Sequence, residues 1–150
     1  MKRPPNMQKL DDLLRSGQLV AGGFLGSDTR PVEEIIEADA ATLEQLGVHP
    51  AELGRRMAEL TREARAGLGS FVDAGDHLEV ACDDNRGVIV CPWGDGTRHY
   101  KSVTTARRTD TGRTVRWSDL SAHLIARHGF FQGKGSPFRI EPRDLVEVIL

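Results

Sequence analysis

Leu10, Leu13 and Leu14 recur at i, i+3 and i+4 before Gly17, a spacing that predicts a short amphipathic helix from about Pro5 to Ser16. The stretch from Val20 to Ser27 carries Gly22, Gly23 and Gly26 and reads as a loop. Asp28 or Thr29 can cap the next helix, with Pro31 in its first position and Glu33 and Glu34 in the first turn, where the helix dipole favours carboxylates. Val32, Ile36, Ala40 and Leu43 carry that helix to Leu46, with room for a break near Asp39, and Gly47 ends it. From Pro50 onward, Leu53, Met57, Leu60 and Ala64 form one apolar stripe. Arg55, Arg56, Glu59, Arg62, Glu63 and Arg65 fall largely off it, giving a third helix with a charged outer face.

After Gly67 and Gly69 the period shortens to about two. His77 to Cys82 alternates as a half-buried strand, Asp83 to Gly87 supplies turn residues, and Val88 to Cys91 is a short apolar strand, so a hairpin is expected. Pro92, Gly94, Asp95 and Gly96 mark a second loop. Tyr100 to Arg108 and Arg113 to Trp117 form a second hairpin around Thr109-Asp110-Thr111-Gly112. Ser118 can cap a helix over Asp119 to His128, stopped by Gly129. A glycine-rich loop, Phe130 to Pro137, leads to a short extended Phe138 to Ile140. Pro142 opens a last helix, although Val146, Val148 and Leu150 would also suit a strand.

Helices first, then hairpins, then helices predict an α+β fold with N-terminal helices, an antiparallel sheet of about four strands (two hairpins) and C-terminal helices. One domain is expected over residues 1–150, mainly helical over 1–70 and sheet plus C-terminal helices over 71–150. An alternating βαβ dinucleotide fold is not expected.

A chain of 150 residues with 39% apolar side chains buries enough surface to fold without metal or disulfides. No cofactor is therefore required for folding, and zinc, if bound, would serve function. Two cysteines, Cys82 and Cys91, are too few for a disulfide framework. No run of 18 apolar residues occurs and the first dozen residues are mostly polar, so a cytoplasmic chain without membrane contact is expected. Charge is divided unevenly: residues 98–150 carry 10 Lys+Arg against 5 Asp+Glu, leaving 10 against 17 in residues 1–97. Either the halves neutralise each other or the basic half meets an external anion.

Three constellations could carry chemistry. In the second hairpin, Arg108 facing Arg113 would set Ala106 against Val115 and Thr104 against Trp117 on one face, with Lys101, Arg107 and Arg116 on the other. Such a ribbon can track phosphates, or its cations can simply be solvated or answered in cis. In the loop, Gly133 and Gly135 could turn backbone N–H groups toward an anion, with Lys134 and Arg139 supplying charge. The P-loop pattern is not met, because Gly135 separates Lys134 from Ser136. Phe130 and Phe131 read as core anchors in preference to stacking platforms.

The third constellation draws on the cysteines and histidines. Cys91 with Asp95 and His99 could form a nucleophile site, all within nine residues. His123 and His128 are candidate metal ligands, although an i, i+5 pair points about 140° apart on a regular helix and is expected to share an ion only if the last turn distorts.

The first reading is a binding module whose Lys101, Arg107, Arg108, Arg113, Arg116, Lys134 and Arg139 contact nucleic acid or a phosphate-bearing ligand. The second is a small hydrolase or metal-dependent enzyme using His and Cys side chains. The third is a homo-oligomer joined through Leu145 to Leu150.

Overall fold

The computed structural model describes residues 5–20 and 22–150. Three helices open the chain: α1 (Pro5–Arg15), α2 (Val32–Leu46) and α3 (Pro50–Arg65). Six strands follow, β1 (Val72–Asp73), β2 (Leu78–Asp83), β3 (Val88–Val90), β4 (Arg98–Tyr100), β5 (Val103–Arg108) and β6 (Thr114–Ser118). Helices α4 (Asp119–His128) and α5 (Pro142–Ile149) close it. The fold is α+β, with a four-stranded antiparallel sheet ordered β1-β2-β5-β6 and a separate β3-β4 ribbon.

The second expected hairpin forms in the expected register, Ala106 opposite Val115 and Thr104 opposite Trp117, but its first strand begins at Val103 instead of Tyr100, because Tyr100 pairs with Val88 in the other ribbon and Lys101 lies between the two strands. The first does not. β2 pairs with β5, placing Glu79 opposite Arg107 and Val80 opposite Ala106, while β3 pairs with β4. This arrangement joins opposite charges on one face and buried apolar groups on the other, which a β2-β3 pairing could not supply. Residues 84–102 thus leave the sheet as an inserted ribbon and return to it, and Lys101 N–H to Gly87 O pins the base of the excursion. Two smaller expectations also change. α2 runs unbroken through Asp39, because that carboxylate is buried against Arg139. Residues 138–140 are turn and irregular chain instead of a strand, and the C-terminal segment is helical.

Two apolar cores meet at α4. One gathers Leu53, Met57 and Leu60 of α3 against Val80, Ala106 and Trp117 of the sheet and Leu145, Val148 and Ile149 of α5. The other gathers Leu14, Phe24, Val32 and Ile35 against Leu120, Leu124, Phe130 and Cys91. Because α4 sends Ile125 to the first core and Leu124 to the second, its position is fixed on two sides. Polar groups in the first core are satisfied: Trp117 Nε1 donates to Thr61 Oγ1 at 3.0 Å, and Thr61 shares a 2.7 Å hydrogen bond with Thr104. Leu145, Val148 and Ile149 spend the apolar face of the C-terminal segment inside the protomer, leaving Leu150 about half exposed. No described helix is long and apolar enough to cross a membrane.

Candidate metal centre

The loop after β3 is a chain of local hydrogen bonds. Gly94 N–H donates to Cys91 O at 3.1 Å across a turn with Pro92 in its second position, and Cys91 N–H reaches Thr97 O at 3.2 Å. Asp95 then closes an Asx turn, its Oδ1 accepting from Thr97 N–H at 3.0 Å and from Thr97 Oγ1 at 2.6 Å. With Oδ1 so engaged, Oδ2 is left facing α4.

There it accepts from both candidate metal-ligating histidines, His123 Nε2 at 2.7 Å and His128 Nε2 at 3.0 Å. Cys91 Sγ lies 3.6 Å from the same His128 nitrogen. The ligand atoms of Cys91, Asp95, His123 and His128 all lie within 4.8 Å of one another, and this is the one such cluster among the described residues. The expected obstacle, a divergence of about 140° between the two imidazoles, is overcome without distorting the helix. Asp95 Oδ2 sits between the two Nε2 atoms, and the rings meet each other edge to face with centroids 5.5 Å apart. Gly129 closes α4 in the left-handed conformation immediately after His128. Trp93 stacks on His128 at 4.4 Å and leans on Phe130, so the ring is fixed from behind.

His99 belongs to the same assembly. Its Nε2 is 2.9 Å from Thr97 Oγ1 and its ring lies 4.3 Å from His123. Burial, reinforced by the neighbouring His123, pushes its pKa down. Cys91 is 4% exposed, and burial pushes its thiol up to about 11. A thiol in that state is the opposite of an activated nucleophile, whereas a coordinating cation would deprotonate it. Asp95 is held well below the usual carboxylate range, first by the Thr97 hydroxyl and also by His128 and His123. The candidates for nucleophile and for metal thus converge on one spot, and the chemistry there is that of a ligand set. Cys82 is elsewhere, on β2, its side chain buried in the first core with Sγ 3.8 Å from Asp84 Oδ1.

One sulfur, two imidazole nitrogens and one carboxylate oxygen suit a borderline-soft ion of the zinc class better than calcium or magnesium. Tetrahedral zinc with these bond lengths separates its ligand atoms by about 3.3–3.8 Å. The Cys91–His128 spacing already matches, and the two Asp95–histidine spacings would have to open by about 0.3–0.6 Å as the ion replaced the imidazole protons.

The basic candidates are dispersed. Arg107 pairs with Glu79, Arg108 with Asp110, Arg113 with Glu147, and Arg139 with Asp39 and Glu141. Arg116 lies over the Phe138 ring, and Lys101 and Lys134 form no ion pair with a described residue. In the glycine-rich loop the anion is the protein's own: Lys134 N–H donates to Asp28 Oδ2 at 3.1 Å, and Gly133 N–H to Phe24 O at 2.9 Å. Phe130 and Phe131 are both core residues.

Asp28 makes a pH prediction. Hydrogen bonds from the Arg30 side chain, then from the Lys134 and Arg30 backbone, hold its carboxyl well below its ordinary value of 3.8. A group depressed in the folded state adds stability above its unfolded pKa and loses it as pH falls toward the folded value. Acid unfolding curves of the wild type should therefore drop more steeply below about pH 4 than those of Asp28→Asn; parallel curves would contradict this.

The residues that neither pattern nor spacing singles out are Thr97, which aims the carboxylate, and Trp93, which backs His128. An Asp-x-Thr Asx turn next to a candidate ligand is the signal the sequence offers for the first of them. No protein-family model, curated protein or solved structure matches this chain.

Proposed function

We propose that this protein is a metal-dependent enzyme of the hydrolytic type, holding one zinc-class ion through Cys91, Asp95, His123 and His128. The observation that carries the reading is the approach of four ligand atoms from two elements to within 4.8 Å. Two further features favour a functional over a structural ion. The chain packs two cores by itself, and a carboxylate ligand is foreign to the all-cysteine and mixed cysteine–histidine sets of structural zinc. Held by these four residues, such an ion would supply Lewis acidity, and it would activate a water near neutral pH only by accepting that water as an added ligand beside the four side chains. Thr97 orients the carboxylate, and Trp93 fixes the His128 ring.

The anion-binding reading of the C-terminal half draws less support, since four of its seven cations are already answered by carboxylates. The oligomer reading draws none from a C-terminal segment packed into its own core.

Protein stripped with a chelator and dialysed against zinc should retain one ion per chain and melt higher, by about 4 kcal/mol of added stability at zinc 1,000-fold above its dissociation constant. Cobalt-substituted protein should change its visible spectrum with azide, as an ion able to accept an added ligand does. Absence of stoichiometric zinc with an unmoved melting point would overturn the metal site. A cobalt spectrum indifferent to azide would overturn the enzymatic assignment.

A further inference from the structure

A groove of about 580 Å³ runs between α3 and α4, within the range of small-molecule sites. Small residues line its length: Ala51, Gly54 and Ala58 from α3, Ala122 and Ala126 from α4. The helices touch here, for a Cβ on Gly54 would lie 2.4 Å from that of Ala126. The result is a channel floored by small apolar side chains.

The α3 wall is cationic. Arg55, Arg62 and Arg65 line the groove at i, i+7 and i+10, the spacing that stacks side chains along one helix face. Arg55 and Arg62 are exposed and form no ion pair with any described residue. Arg65 is held in place: Nη2 donates to Asp119 at 2.8 Å and Nε to Asp84 at 3.4 Å, leaving Nη1 uncommitted. Asp119 lines the groove as well, its Oδ2 taken by Arg65, and the groove reaches His123 and His99, so it meets the metal centre through one of its four ligands.

We infer that this groove is the substrate cleft and that it takes a small molecule with an apolar body and an oxyanion, phosphate or carboxylate, clamped by Arg55 and Arg62. Guanidinium forks match both oxyanions bidentately, and the methyl-lined channel accepts a flat apolar group. The inference rests on the metal reading for the direction in which the substrate points, with its scissile group toward His123, and not for the binding of the anion itself.

The probes are phenyl phosphate and benzoate, titrated by calorimetry into zinc-loaded and chelator-stripped protein, wild type and Arg55→Gln/Arg62→Gln. Both substitutions are on exposed side chains, so the double variant should keep its melting point and its zinc stoichiometry. At least one probe should bind the wild type and lose tenfold or more in affinity in the double variant; which probe wins identifies the oxyanion. An Arg127→Gln control, outside the groove on α4, should bind as wild type does. Equal affinity in wild type and double variant, or no binding of either probe, would overturn the cleft. If both probes bind in an Arg55- and Arg62-dependent manner to a protein that takes up no zinc, the cleft stands and the metal reading fails.

Discussion

Cys91→Ser should lower zinc affinity by about 10²–10³-fold while leaving the metal-free protein folded. Four-ligand structural zinc sites bind with about 10–16 kcal/mol, so each ligand accounts for about 2.5–4 kcal/mol if the ligands share the energy equally, and every 1.4 kcal/mol is tenfold. Serine keeps the shape of the side chain but offers a hydroxyl that a zinc-class ion deprotonates far less readily than a thiol. The readout is competition with a chromophoric chelator, together with the cobalt spectrum. Wild-type protein should show intense sulfur-to-cobalt charge transfer in the near ultraviolet, and Cys91→Ser should show none. Because Cys91 lies in the second core, the metal-free melting points of the two proteins must be compared, and a difference there measures packing alone. An unchanged affinity in Cys91→Ser would remove the thiolate from the ligand set and leave a three-ligand site of Asp95, His123 and His128.

What makes this centre hard to read from the sequence is a matter of reach. The helical wheel correctly separates His123 and His128 by more than a right angle, but it places no third group between them. Asp95, 28 residues earlier than His123, supplies that group from an inserted ribbon. The ribbon itself escapes a reading of the pattern, because Val88 to Val90 looks like the natural partner of the adjacent β2. Pairing β2 with β5 wins by matching Glu79 with Arg107 and by burying Val80 against Ala106. By contrast, the β5–β6 register is legible down to the residue. The four-residue connection and Gly112 fix its phase, and one face of each strand is apolar. The α3 arginines are legible only as a solvated face. Their common groove appears once α4 is laid against Gly54.

Arg139 should prove a structural cation, and Arg139→Met should cost about 3–5 kcal/mol of stability. Its side chain is 8% exposed and that of Asp39 is 7%, and they meet through two hydrogen bonds, one of them Nη2 to Oδ1 at 2.9 Å. Nη1 also donates to Gln132 O at 3.0 Å, so the guanidinium ties the loop after α4 to the middle of α2. Methionine fills much of the volume but leaves Asp39 charged and without its partner in a site closed to water, and the penalty is that of an uncompensated buried charge rather than of one lost contact. Replacing both partners, as Asp39→Leu/Arg139→Met, should recover most of the loss, because a buried ion pair and a packed apolar pair of similar size differ little in free energy. Urea unfolding of the three proteins decides the matter. A single variant within about 0.5 kcal/mol of wild type would mean that the pair is solvated, which would return Arg139 to the cations available for an external anion.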